Sequence, residues 1–200
     1  GAINTPVPPI EIQKRIADFL DKKCGEIDNL YSTIEKQIET LEEYKKSVIR
    51  EAVTRGLNPN VEMKDSGVEW IGNIPVHWKV KKIKYSATLT RGVFGHRPRN
   101  DPKYYDGDYP FIQTGDVASA NKYIETFSQT LSELGKSVSK EFKKGTIAFT
   151  LAANVGDAAI LDFDSYFPDS VMAIIPNKNI NNVYFCLLYT SPSPRDRSLS

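Results

Sequence analysis

Between Trp78 and Lys103 the chain carries Lys79, Lys81, Lys82, Lys84, Arg91, Arg97, Arg99 and Lys103 against one acid, Asp101. Eight cations against one anion make a local charge of +7, in a chain whose net charge is only +1. Such a field fits a polyanionic partner, and a solvated charged face is the bland alternative. His96 and Asn100 lie in the same Gly- and Pro-broken loop, which runs from Arg91 to Tyr105. Arginine reads guanine bidentately, Asn and Gln read adenine, and lysines hold phosphates, so this mixture is the chemistry of DNA recognition. Gln113 and Thr114, at a predicted strand end before Gly115, and Asn154, beside Gly156, complete the candidate DNA-binding set.

Catalytic motifs are a poorer match. No Gly-rich phosphate loop closes on Lys-Ser or Lys-Thr, and His77 and His96 lack metal-ligand spacing. Asn58-Pro59 lacks the aromatic residue of a base-methylating motif. One nuclease-like trace exists, Asp116 upstream of Glu141-x-Lys143. Metal-dependent cleavage needs its carboxylates on adjacent strands, whereas residues 141–145 read as a turn. The expectation is a non-enzymatic chain with no catalytic residue, metal or cofactor.

The element expected to position this chemistry is a long helix over residues 27–52. Leu20, Ile27, Ile34, Leu41 and Val48 recur every seven residues, as do Cys24, Tyr31, Ile38, Lys45 and Ala52. The offsets of three and four are those of a coiled-coil seam. This stretch predicts a rod of about 40–45 Å, which needs a partner helix that the chain does not supply. Lys45 replaces an apolar seam residue and is expected to meet an acid on that partner. A preceding helix is predicted over residues 9–23, with Gly25 producing a bend at most. Gly56 and Pro59 end the long helix.

Residues 57–66 read as a linker. Trp70, Ile71, Ile74 and Trp78 then look like an apolar clasp at the entry to a strand-rich region. Strands are predicted at 109–114, 146–151, 158–162 and 170–175, a strand or short helix at 82–89, and a weak helical turn within 127–134. The fold class is α+β: a coiled-coil-type helix followed by a strand-rich mixed α/β domain. The run Cys186-Leu187-Leu188-Tyr189-Thr190-Ser191-Pro192-Ser193-Pro194-Arg195-Asp196 resembles a translated sequencing-library adapter, so residues 186–200 are set aside. No apolar run reaches membrane-spanning length, and the remaining lone Cys24 fits a reducing cytoplasm. The chain starts Gly1-Ala2-Ile3-Asn4 and reads as a fragment.

Several segments resemble one family. Pro8-Pro9-Ile10-Glu11-Ile12-Gln13-Lys14-Arg15-Ile16, Leu41-Glu42-Glu43-Tyr44-Lys45-Lys46 and Glu51-Ala52-Val53-Thr54-Arg55-Gly56-Leu57 are similar to the conserved helix of type I restriction–modification specificity subunits. Ser66-Gly67-Val68-Glu69-Trp70-Ile71-Gly72-Asn73-Ile74-Pro75-Val76-His77-Trp78 resembles the entry to their target-recognition domain. The resemblance implies that residues 1–8 end one recognition domain, 9–56 form the spacer helix, and 67–185 form an incomplete second domain. It also implies double-stranded DNA as ligand, methylation subunits as partners and, through them, a restriction subunit. The recognition loops vary with target in this family, so none of their residues is carried over. Two other readings stay open: a coiled-coil module with a domain unrelated to nucleic acid, and a metal-dependent nuclease.

Overall fold

The computed structural model describes residues 6–190 apart from 70, 97–99 and 154. Two compact units divide between Val48 and Ile49.

The first unit is the bulk of one helix, α1, Ile10–Arg55. The two helices expected from the sequence are thus a single element of 46 residues, about 69 Å long. Gly25 does not interrupt it: an interior Gly costs about 1 kcal/mol, and the good helix formers flanking it carry the backbone ladder through. Thr33 and Thr40 remain helical by turning their hydroxyls back on the carbonyls of Asn29 and Lys36, at 2.8 Å each. The stripe is bare in this unit: Leu20, Ile27, Tyr31, Ile34, Ile38, Leu41 and Val48 are all about half exposed or more. Cys24 and Lys45 are exposed as well.

The last two turns of α1 belong to the second unit, where Val53 and Thr54 are buried. Gly56 ends the helix at φ +81°, its N–H donating to the Ala52 carbonyl at 3.1 Å. Residues 57–66 are more than a linker, because β1 (Met63–Asp65) pairs antiparallel with β2 (Asn73–Pro75). Ile74 is buried on that hairpin, as the apolar clasp required, while Trp70 lies outside the described residues.

Two sheets follow. The five-stranded sheet has the order β3-β11-β8-β9-β5, from Ala87–Arg91, Val171–Pro176, Ile147–Thr150, Ala158–Leu161 and Tyr123–Ile124. The four-stranded sheet has the order β6-β4-β10-β7, from Gln129–Leu131, Tyr105–Phe111, Ser165–Tyr166 and Glu141–Phe142. The helix α2 (Thr114–Ser119) packs Val117 into the cluster of Ile112, Phe142, Leu161 and Phe167. Phe142 and Phe167 stack at 4.1 Å within it. A second cluster joins Ile147, Ile160 and Ile174 to Phe185 of α4 (Asn182–Thr190), and a third gathers Phe94, Tyr104, Phe111 and Leu131 beside α3 (Glu133–Ser137).

Four local expectations change. Residues 82–89 are a 3-10 turn, Ile83–Tyr85, leading into β3. The strand expected at 109–114 starts earlier and stops at Phe111, and Tyr105 and Tyr109 both face Leu131 across a bulge. Asp106 holds φ +59° in that bulge. Gly115 and Asp116 do not break a strand; they open α2, because the Asp116 carboxylate accepts the Gln113 N–H at 2.8 Å. Glu141 is on β7 rather than in a turn, paired with Tyr166 of β10. Asp116 is occupied as a cap and Glu141 is bridged to Lys143 at 2.7 Å. Among the described residues no His, Cys, Asp and Glu gather into a metal-binding group.

Residues 186–190, set aside as foreign, continue α4. Cys186 is buried in the second cluster, and the Tyr184 hydroxyl donates to the Val53 carbonyl at 3.0 Å. Burial pushes the Cys186 thiol up to about 11, so it holds almost no thiolate near neutrality. A thiol-reactive dye at pH 7.5 should therefore label exposed Cys24 quickly and Cys186 only on unfolding. Equal fast rates at both would show that α4 is not docked.

Candidate nucleic-acid interface

Strand β3 divides the basic stretch. Lys79, Lys81, Lys82 and Lys84 lie before its start and Arg91 at its end, with about 13 Å of strand between Ala87 and Arg91. The four lysines are exposed. One continuous basic face from Trp78 to Lys103 is therefore not what the fold builds.

Arg91 falls at a junction. Its Nε donates to the Asp169 carbonyl, and the next N–H, of Gly92, donates to the Val171 carbonyl at 2.8 Å. Across β11, Thr150 pairs with Val171 and the Leu151 N–H reaches the Ser170 carbonyl at 2.9 Å. The turn of residues 151–157 is thus brought to the same end of the sheet as Arg91. Asn154 itself lies outside the described residues, but the turn is anchored: Thr150 Oγ1 accepts from the Asp157 N–H at 3.1 Å. Ala153 holds φ +63° there and Val155 is 72% exposed.

Gln113 and Thr114 come to this end through the other sheet. Strands β4 and β10 are parallel, with Phe111 opposite Tyr166, and the Ile112 N–H donates to the Tyr166 carbonyl at 2.8 Å. The residues that follow both strands therefore emerge side by side, Gln113–Thr114 from one and Phe167–Asp169 from the other. Gln113 is not a free reader, however. Its backbone N–H is held by the Asp116 carboxylate at 2.8 Å, its backbone carbonyl accepts from the Asp116 N–H at 3.1 Å, and its side-chain Nε2 donates to Gln129 Oε1 at 2.8 Å. Gln129 escapes the sequence reading, in which 127–134 is a polar helical turn. It is half-buried on edge strand β6, and its side-chain oxygen is taken by Gln113, which leaves the amide N–H groups as its donors. Gln129-Thr130-Leu131 is two polar residues followed by one apolar residue, too short and too irregular for an alternating strand signal, and its ladder comes only from pairing with β4.

His96, Asn100 and Lys103 stand apart, at the opposite end of β4. The His96 ring stacks on Tyr104 at 4.0 Å, and the Ser132 hydroxyl holds the Lys103 carbonyl at 2.7 Å. Lys103 Nζ lies 2.9 Å from Asp101, which holds that carboxyl below its usual range and raises the ammonium in turn. Part of the Lys103 charge is thus already met. Arg97 and Arg99 lie outside the described residues.

The comparisons with known proteins bear on what such a domain is. Residues 75–194, more than half of the chain, match the family described as Type I restriction modification DNA specificity domain. The chain belongs to that family. This specificity-domain chain is 30% identical to a Methanocaldococcus jannaschii protein named for the MjaX type I restriction enzyme specificity subunit, over 94% of the chain and 41% of that protein. It is 22% identical to the EcoKI specificity subunit of Escherichia coli strain K12, over 99% of the chain and 42% of that protein. The chain thus spans about two fifths of these relatives. Solved structures share its fold: the HsdS subunit from Thermoanaerobacter tengcongensis has a TM-score of 0.50 at 15% identity, covering 94% of this chain and 43% of that one. A chain in a structure titled for complex assembly and conformational transition of the type I R-M system has a TM-score of 0.54, with the same identity and coverage. The α+β architecture, a long helix leading into a strand-rich domain, is therefore that of type I specificity subunits.

Proposed function

We propose that this chain is part of the non-catalytic DNA-reading subunit of a type I restriction–modification assembly, and that its second unit reads one half of a bipartite duplex target. The observation that carries this is the convergence of Arg91, the 151–157 turn and the Gln113–Gln129 pair, within the stretch matching the specificity-domain family. Arg91 is assigned to a base edge, Gln129 to donation from its amide, and Gln113 to positioning Gln129. Thr114 belongs to that face, and Asn154, Arg97 and Arg99 are kept as DNA contacts on residue chemistry alone; His96, Asn100 and Lys103, at the opposite end of β4, would meet DNA outside it. Two lines of support come from the rest of the chain. The bare stripe on α1 is the surface a second helix would cover, and the relatives are more than twice as long as the chain. On this reading the stripe pairs with a second helix of the subunit, the methylation subunits dock beside the pair and recruit the restriction subunit, and the assembly works in the cytoplasm. No described helix is long and apolar enough to cross a membrane.

Arg91→Ala in the full-length subunit should lower affinity for cognate duplex by about 1–3 kcal/mol, roughly 5- to 150-fold, and leave binding to random duplex nearly unchanged. Fluorescence anisotropy with both duplexes measures this. Equal losses on the two would remove base reading from Arg91. On the seam, Lys45→Leu should raise the melting temperature of the full-length subunit while allowing alternative pairings, because a polar seam residue fixes register at some cost in stability. An unchanged melt with unchanged crosslinking partners would show that Lys45 faces no acid.

A further inference from the structure

We propose that the lysine end of the five-stranded sheet is a second DNA-contacting surface, which grips the phosphate backbone of the duplex flanking the bases that are read. The inference rests on the specificity-domain reading above and adds a separate site to it.

The surface is assembled from two distant stretches. Lys79, Lys81, Lys82 and Lys84 precede β3, and Lys178 follows β11. Antiparallel pairing of these strands sets Ala87 opposite Pro176, so both segments leave the same end of the sheet. Two hydrogen bonds at 2.9 Å lock them together, from Asn177 Nδ2 to the Tyr85 carbonyl and from the Asn177 N–H to the Ser86 carbonyl. All five lysines are exposed, and Lys84 Nζ lies 5.0 Å from the centre of the exposed Tyr85 ring.

What marks this surface is the lack of counter-charge. Four other lysines of the domain are met by carboxylates, Lys103 by Asp101, Lys136 by Glu133, Lys143 by Glu141 and Asp164, and Lys144 by Asp162, while Lys122 and Lys140 lie singly over the rings of Tyr123 and Phe142; among the described residues, only here are several lysines without a carboxylate set together. Among the described residues no carboxylate pairs with any of the five. Neither stretch supplies one, since no Asp or Glu occurs between Glu69 and Asp101 or between Ser170 and Thr190. Five like charges held together repel one another, and an anionic partner relieves that repulsion.

The partner chosen is the duplex backbone. Lysines are point charges on flexible stems, which suit phosphates and carry no base preference. An acidic protein surface would leave the patch unrelated to Arg91, whereas β3 ties the two rigidly. The roughly 13 Å of strand corresponds to about four base-pair steps, so the flank gripped lies within half a turn of the half-site.

The test uses the full-length subunit assembled with its methylation subunits. The probes are duplexes carrying the site found by mapping methylated genomic DNA, either trimmed at the half-site or extended by about one turn. The triple variant Lys81→Ala, Lys82→Ala, Lys84→Ala should bind the extended duplex at least tenfold more weakly, with a salt slope shallower by about 0.9 for each phosphate no longer neutralised. It should match wild type on the trimmed duplex and keep the same sequence preference. An equal loss on both duplexes, or no loss on either, would overturn the flanking grip. Intact DNA binding with failed capture of the methylation subunits would assign the lysines to a protein partner instead. If wild type itself fails to prefer its site over scrambled duplex, the specificity reading falls first and this inference with it. A circular dichroism melt of the variant, expected to match wild type, separates these outcomes from misfolding.

Discussion

Inserting four residues near Thr40 is expected to lengthen the unread gap of a bipartite target by about two base pairs, while leaving the bases of each half-site unchanged. The insertion adds about 6 Å of helix and rotates the downstream residues by about a tenth of a turn beyond one full helical turn. Thr40 lies mid-helix with its hydroxyl on the Lys36 carbonyl, far from either end of α1, so the inserted turn extends the rod without touching a recognition surface. At about 69 Å, α1 is longer than the stretch that the heptads delimit, and on the proposed reading a spacer of that length would bound the separation of two recognition domains at about two turns of B-DNA. Mapping of methylated sites in strains carrying each variant reads the gap directly. A gap that stays constant, or a contiguous target, would show that α1 is not the spacer.

Gly92→Ala is expected to cause the largest stability loss of any single methyl addition near the candidate site. A Cβ at Gly92 would run into the backbone carbonyl oxygens of Phe167 and Pro168, which have no side-chain freedom with which to yield. Phe167 is fully buried in the core, and the Gly92 N–H is already bonded to Val171, so neither strand can retreat. Overpacking against fixed backbone costs about 3 kcal/mol or more, which in a unit of this size lowers the melting temperature by about 6–12 °C. Arg91 loses its placement together with the junction. The matched control is Gly115→Ala, where a Cβ meets nothing within 4 Å inside α2 and should be neutral or slightly stabilising. Similar melts for the two variants would mean that β3 and the turn after β10 are not packed as described.

The helix was legible because its signal is periodic and local. Heptad spacing, the Gly56 stop and the bare seam follow directly from residue types, and only the continuity through Gly25 needed the structure. The strands at 147–150, 158–161 and 171–176 were legible as short apolar runs between breaks. Strand β1 was not, because Met63-Lys64-Asp65 gains its ladder only from Asn73–Pro75 across a turn made by Gly67 and Gly72, both at positive φ. The start of α2 was hidden by a similar tertiary decision: Asp116 reads as a strand breaker until its carboxylate is seen capping Gln113 and holding Ser128. At the candidate site, composition located the charge but not its division. Lys84 and Arg91 are seven residues apart in a single basic run, and an intervening strand carries them to opposite ends of a sheet. Lys178 and Gln129 join the two surfaces through pairings that no local pattern encodes.

Selection from a random-sequence duplex library by the full-length subunit, complexed with its methylation subunits, tests the account most directly when repeated with Arg91→Ala. The expected result is a bipartite motif with a fixed gap for wild type, and the same motif relaxed at one position of one half-site for the variant. Recovery of no motif by wild type, or of an identical motif by both, would contradict the claim that this domain reads DNA sequence from the Arg91 end of its sheet.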